Sequence, residues 1–150
     1  MRATDVSVYP IGGARRTDLA AIRCLLDVEN LPSEDIEESA LEHFLVCRDE
    51  IGVAGVVGLE KYGDVALMRS LVVTEKYLGR GFGRRLVGAV EILAVETGVR
   101  SIYLLTTTAE PFFRYLGFRR ISREEAPAAI RSSREFSSLC PTTAVVMVKP

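Results

Sequence analysis

The sequence predicts a single domain of mixed α/β class, and three observations predict it. Residues 43–73, HFLVCRDEIGVAGVVGLEKYGDVALMRSLVV, are rich in Val, Leu and Ile and are interrupted at Asp49–Glu50 and Gly63–Asp64. That is the pattern of three antiparallel strands joined by hairpins. The third of these strands runs through a glycine-rich stretch, LGRGFGRRL (78–86), into a helical pattern, GRRLVGAVEILAVETG (83–98). Finally, a chain of 150 residues with 48% apolar and 26% charged side chains has the size and composition of one globular domain with a sizeable core.

The remaining elements follow in chain order. DVSVYPI (5–11) alternates weakly and suits a strand. TDLAAIRCLLDVENL (17–31) places apolar residues at helical spacing, with Thr17 or Asp18 as the N-cap. LPSEDIEE (31–38) reads as a break followed by a short acidic helix capped by Ser33. The helix 83–98 is apolar on most faces and closes at Gly98. SIYLLTT (101–107) reads as a strand buried on both faces. PFFRYLG (111–117) is a short helix with Pro111 in its first turn, and TTAVVMV (142–148) is a last strand. The order is β, α, α, β, β, β, α, β, α, β, without repeats, linkers or low-complexity segments.

Charge and composition narrow the function classes. With 19 basic and 20 acidic side chains the net charge is -1, which gives no field for a phosphate polymer, so nucleic acid is not an expected partner. Apolar runs fall well short of the ~18 residues that span a bilayer. MRATDVSVYP has no signal-peptide core, so no membrane partner is expected and the cytoplasm is the default location. Cys24, Cys47 and Cys140 are scattered, odd in number and without zinc-ligand spacing. His43 is the single histidine, and no metal site is expected around it.

The glycine stretch is the informative feature. A strand, a glycine-rich turn and a helix start expose a row of unpaired N–H groups at the positive end of the helix dipole, which suits a phosphate. Gly81 and Gly83 bring no Cβ between backbone and ligand, and Arg80, Arg84 and Arg85 add positive charge. Gly-x-Gly by itself is as often a plain turn. Two familiar phosphate loops are excluded. No Gly-Lys pair of a Walker loop occurs, and glycines at 79, 81 and 83 do not make the G-x-G-x-x-G dinucleotide fingerprint.

With its flanks, LVVTEKYLGRGFGRRLV resembles the acetyl-coenzyme A motif of the GNAT N-acetyltransferases: a strand, a short loop, then [Q/R]-x-x-G-x-[G/A] at a helix start. AEPFFRYLGFRRI (109–121) resembles the following helix and strand of that family. The resemblance is close over residues 43–121 and loose over the N-terminal third. It implies a GNAT-like fold: a central, mostly antiparallel twisted sheet of about six to seven strands, bulged and splayed into a V-shaped cofactor slot, flanked by about four helices. It implies acetyl-CoA as co-substrate. The strand Leu71, Val72, Val73 would hold the acetyl carbonyl and the pantetheine arm. The amides of Gly79, Arg80, Gly81, Phe82, Gly83 and Arg84 would hold the diphosphate. Thr106, Phe112 and Phe113 fall at further cofactor positions. A homodimer is a family expectation.

Three positions depart from the family pattern. Leu78 replaces the usual Gln or Arg, which main-chain recognition tolerates. Thr106 stands where many members have Asn, and its hydroxyl can still make one hydrogen bond. Phe113 stands where many members carry the Tyr that protonates the departing thiolate, and a phenyl ring donates no proton. Tyr115, two residues on, points about 200° around the helix and does not inherit the role.

A narrower resemblance lies in MRSLVV, LLTTTAEPFF and EFSSLCP, which look like the arsenic-resistance-associated branch of these acetyltransferases and share features with N-acetylglutamate-synthase-like domains. Both act on amino-acid-like compounds, so the expected acceptor is a small amino-acid-like amine, with an arsenic-containing amino acid as one candidate. Glu60, at the end of an apolar strand, is a candidate general base; an exposed hairpin Glu is the plainer reading. Glu29 and Asp35 are further acids that could line the entrance. Arg69 and Ser70 interrupt VALMRSLVV. A buried Arg must be paired or face a polar cavity: Arg69 is a candidate to fork onto a substrate carboxylate, or else pairs with a nearby acid or reaches solvent, and strict strand alternation lets only one of Arg69 and Ser70 face the substrate slot. Arg131 and Arg134, in 122–141, either bind an anionic acceptor or form a solvated face. Cys140 is either a thiophilic contact or a buried structural thiol. A non-catalytic acyl-CoA binder, motivated by Phe113, and a protein acetyltransferase are the competing readings.

Overall fold

A computed structural model describes residues 9–150 of the chain. Its strands are β1 (Ile11–Gly13), β2 (Phe44–Arg48), β3 (Val53–Tyr62), β4 (Val65–Val73), β5 (Ser101–Thr106), β6 (Arg119–Ile121) and β7 (Val145–Lys149). Its α-helices are α1 (Leu19–Val28), α2 (Phe82–Glu96), α3 (Glu110–Tyr115) and α4 (Ala128–Arg131). The strands form one seven-stranded sheet in the order β1-β2-β3-β4-β5-β7-β6. β2 pairs antiparallel with β1 and β3, and β7 antiparallel with β5 and β6, while β4 and β5 are parallel. The mixed α/β, mostly antiparallel architecture expected from the sequence is therefore the one observed.

The chain divides into two compact units, Met1–Gly58 with Ser70–Val90, and Leu59–Arg69 with Glu91–Pro150. In the first, α1 lays Ile22 and Leu26 on a core with Ile36, Leu41, Phe44, Val46, Val56 and Val72. Apolar residues three and four apart share a helix face, which is why this segment forms an amphipathic helix. Phe44 sits opposite Gly58 in the β2–β3 pair, and a Cβ on Gly58 would run into the Phe44 ring. The missing side chain is thus what lets the phenyl ring lie across the strand. In the second unit, Leu67, Ile121, Ala126, Ile130, Phe136, Val146 and Val148 form the core.

Several expectations are corrected. Asp18 occupies the residue before α1, but its carboxylate turns away from the helix to accept the Arg15 amide at 2.6 Å and both Arg48 nitrogens at 2.7 and 2.6 Å. A bidentate charged pair outcompetes one capping bond. No acidic helix forms over 31–38; the chain makes a turn there and a 3-10 helix at Glu38–His43. Ser33 Oγ instead donates to Asp27 Oδ1 at 2.5 Å. Strand β5 is packed on both faces but unequally: Ile102, Leu104 and Thr106 are buried, while Tyr103 and Leu105 are half-buried against the second core. The short strand β6 is the strand that the resemblance at 109–121 implies after α3. Residues 5–8 of the expected N-terminal strand lie outside the described residues; Ile11, its last residue, begins β1. Among the described residues no helix is long and apolar enough to cross a membrane, and no group of three or more His, Cys, Asp or Glu side chains is placed to hold a metal.

Candidate active site

The first candidate site lies in the first unit, where β4 ends and α2 begins. After Val73, a 3-10 turn at Glu75–Tyr77 leads to Gly79 and Gly81, both left-handed with φ of 76° and 84°. L side chains rarely adopt that conformation, so these two glycines give the turn its shape. A Cβ at either would meet nothing within 4 Å, so the protein itself does not fill the space. The Arg80 amide is withdrawn from the expected row, since it donates to the Tyr77 carbonyl at 3.3 Å. The amides of Gly79, Gly81, Phe82 and Gly83 have no acceptor among the described residues. Arg80 and Arg84 are exposed. Open donors at a helix N-terminus, flanked by two exposed guanidinium groups, fit an anionic diphosphate.

Strand β4 feeds this turn through Leu71, Val72 and Val73, of which Val72 is buried and the others half-buried. Just before them Ser70 has a φ of 62°, left-handed for a residue that is not glycine. Such a conformation costs about 1–3 kcal/mol and persists only where the surroundings impose it. It also breaks the two-residue alternation, and both Arg69 and Ser70 are buried. The expectation that only one of them can face a given side does not carry across this residue.

The second candidate site lies in the second unit. Glu60 on β3, Arg69 on β4 and Glu135 on a π-helical turn (Glu135–Leu139) converge. Arg69 Nη1 is 3.6 Å from Glu60 Oε1, and its Nε is 4.0 Å from Glu135 Oε1. The Arg69 and Glu135 side chains are only 2% and 7% exposed, whereas Glu60 is 29% exposed and is the member reachable from solvent. Arg69 is therefore engaged with carboxylates of its own chain, and Glu60 is not the exposed hairpin acid of the plainer reading. Burial first, then the Glu60 charge, pushes the Tyr62 phenol up to about 12. Burial and then the Glu135 charge push the Cys140 thiol up to about 12 as well, so at neutral pH it is not a thiolate. Glu135 and Tyr62 were not candidates from sequence. A single π turn has no periodic signature, and Glu135 sits among polar residues that read as loop.

The other expected residues fall as follows. Thr106 is buried at the end of β5, and its hydroxyl accepts the Ala109 amide at 3.0 Å, next to the start of α3. Phe113 is buried on α3 and packs edge-to-face against Phe112 and Phe118 at 5.1 and 5.8 Å. Tyr115 is 73% exposed. Arg131, Arg134 and Glu29 are exposed, and Asp35 and His43 are half-buried.

Residues 40–120 match the family model of the GNAT acetyltransferase domain. With that match, and the sheet and glycine turn above, the chain belongs to the GNAT acetyltransferases: it is an acetyl-CoA-dependent N-acetyltransferase of GNAT type. It is 31% identical over 137 residues to N-acetyltransferase CT2212 of Chlorobaculum tepidum, covering 87% of this chain and 86% of that protein. It is 27% identical over 144 residues to YwlB of Bacillus subtilis, covering 94% and 96%. An amino-acid acetyltransferase of Pseudomonas fluorescens is 29% identical over 99 residues, 65% of this chain but 23% of that protein. In fold it resembles N-acetylglutamate synthase from Neisseria gonorrhoeae, solved with coenzyme A and N-acetyl-glutamate, with a TM-score of 0.82 at 20% identity. The chain covers 35% of that protein, about a third of its length. It also resembles Rv2747 from Mycobacterium tuberculosis, solved with CoA, with a TM-score of 0.79, 23% identity and coverage of 93% and 97%.

Proposed function

We propose that the protein transfers acetyl from acetyl-CoA to the amine of a small amino-acid-like molecule. The observation that carries the donor half is the turn at Gly79–Gly83, whose open amides and left-handed glycines suit the diphosphate of coenzyme A. Leu71, Val72 and Val73 would hold the pantetheine arm by strand-like pairing, with Thr106, Phe112 and Phe113 as further contacts.

The acceptor end is read from the second cluster. Acetyl transfer requires a neutral amine held against a polarised thioester carbonyl. Glu60 is the accessible carboxylate and takes the proton of the incoming ammonium. Arg69, itself paired with Glu135, holds Glu60, and Ser70 lies next to Arg69 along the strand. The thiolate then leaves without a tyrosine at position 113. Its parent thiol resembles free cysteine, with a pKa of about 8.5, so unassisted departure is chemically tolerable. The amino-acid acetyltransferase among the relatives supports an amino-acid-like acceptor. Within that class, an N-acetylglutamate-synthase-like acceptor and an arsenic-containing amino acid are the narrower candidates. For the latter, a protonated Cys140 adds no thiolate contact.

Incubation with acetyl-CoA and a panel of amino acids, arsenic-containing amino acids and peptides, with release of free thiol as readout, tests the proposal. Turnover is expected with at least one free amino acid. Tight coenzyme A binding with no turnover on any member would instead support a non-catalytic acyl-CoA sensor. The motive for that second reading is that the phenyl ring of Phe113 has no proton to donate.

A further inference from the structure

Three aromatic rings lie behind the diphosphate turn. Tyr77 stacks on Phe82 with ring centroids 4.6 Å apart and planes 7° from parallel. Tyr9 meets both edge-on, at 5.8 and 6.2 Å. All three are buried. Phe82 is the first residue of α2, so its ring is anchored in this layer while its amide belongs to the open donor row.

A charged group outside the turn fixes the layer. The Tyr77 hydroxyl donates to Asp49 Oδ2 at 2.7 Å. The other oxygen of Asp49 accepts the Ile51 and Gly52 amides, both at 2.9 Å, and the Asp49 amide donates to the Gly52 carbonyl at 2.9 Å. Asp49 is thus immobilised by its own hairpin, between β2 and β3, independently of Tyr77. Burial opposes its charge, but the Gly52 amide, the Tyr77 hydroxyl and the Ile51 amide together lower its pKa. The Asp49 bond and then burial raise that of Tyr77. The donor stays protonated and the acceptor charged, which makes this one of the stronger kinds of hydrogen bond.

We propose that Asp49 and Tyr77 are positioning residues for the diphosphate turn: their hydrogen bond holds the Tyr77 ring against Phe82 and so aims the first amides of α2 before the donor arrives. Tyr77 is too buried to touch a ligand and acts through Phe82. A donor row fixed in advance spares the ligand the cost of ordering it, so the effect appears in affinity. The proposal rests on the diphosphate reading of the turn.

Tyr77→Phe keeps the stacked ring and removes only the hydroxyl; Asp49→Asn keeps an oxygen for the hairpin amides. Coenzyme A affinity is measured by calorimetry. Affinity for pantetheine, which lacks the diphosphate, is measured by ligand-observed NMR. Tyr77→Phe should bind coenzyme A about five- to tenfold more weakly; Asp49→Asn should weaken it less, because its amide can donate to the Tyr77 hydroxyl oxygen in place of the charged bond; both should bind pantetheine as wild type does. The double variant should be about as weak as Tyr77→Phe alone, because without the Tyr77 hydroxyl the bond is already lost. A purely structural role would lower the melting temperature and leave the coenzyme A Kd unchanged, which would overturn the proposal. If wild type binds pantetheine as tightly as coenzyme A, the diphosphate reading itself fails, and this inference with it.

Discussion

Arg69 Nε and Glu135 Oε1 stand 4.0 Å apart, one on a sheet strand and the other on a π turn far along the chain, both almost fully buried. Removing one member of such a pair strands the other charge away from water. Arg69→Met is therefore expected to destabilise the fold by about 3–5 kcal/mol in urea unfolding. Arg69→Met combined with Glu135→Gln should recover part of that loss, since no uncompensated carboxylate then remains at 135.

Glu60 is the accessible member of the same cluster, and its removal should act on chemistry more than on stability. Glu60→Gln is expected to lower kcat about 100-fold or more if Glu60 takes the acceptor's proton, with the coenzyme A Kd unchanged. A variant that turns over like wild type would remove Glu60 from the mechanism.

At the glycine turn, Gly83→Asp puts a carboxylate among donors aimed at a diphosphate. Coenzyme A affinity should fall by about 100-fold or more, as like-charge juxtaposition costs several kcal/mol. An unchanged Kd in a calorimetric titration would remove the basis for assigning the turn.

Two further glycines give opposite expectations for stability. Gly58→Ala drives a methyl into the Phe44 ring, and overpacking of this kind costs about 1–3 kcal/mol. Gly88, exposed within α2, has nothing within 4 Å of an added Cβ. Gly88→Ala should stabilise by about 0.5–1 kcal/mol, because alanine favours helix over the unfolded chain. Thermal melts of the two variants test both signs.

Stability at acid pH should report Asp18. The Arg48 guanidinium bonded to Asp18 holds its carboxyl below the usual carboxylate range. A group with a depressed folded-state pKa contributes stability that is complete above the unfolded value and is lost as pH falls below it. Unfolding free energy should therefore drop as pH falls below about 4. Asp18→Asn, less stable at pH 7, should show a shallower drop.

The elements legible in the sequence were those with a strong local pattern. The hairpin run 43–73 and the helix after the glycines were each placed to within a few residues, because apolar periodicity and turn residues fix such segments locally. The two faces of β5 are both packed but unequally buried. An apolar run reports that side chains can be buried, and only the neighbouring layers decide how many faces are. Asp18 stands at the N-cap position the sequence offers, but sequence does not show that Arg48, on another element, takes its carboxylate.

The same division runs through the candidate sites. Sequence alone determined the family, and with it the donor class, because a main-chain phosphate turn is written in consecutive residues whose glycines set the backbone shape. The tertiary structure alone placed Glu135 against Arg69 and Asp49 against Tyr77. These pairs join residues far apart along the chain, and their interaction depends on distances of a few ångströms and on exclusion of water, neither of which any local pattern encodes.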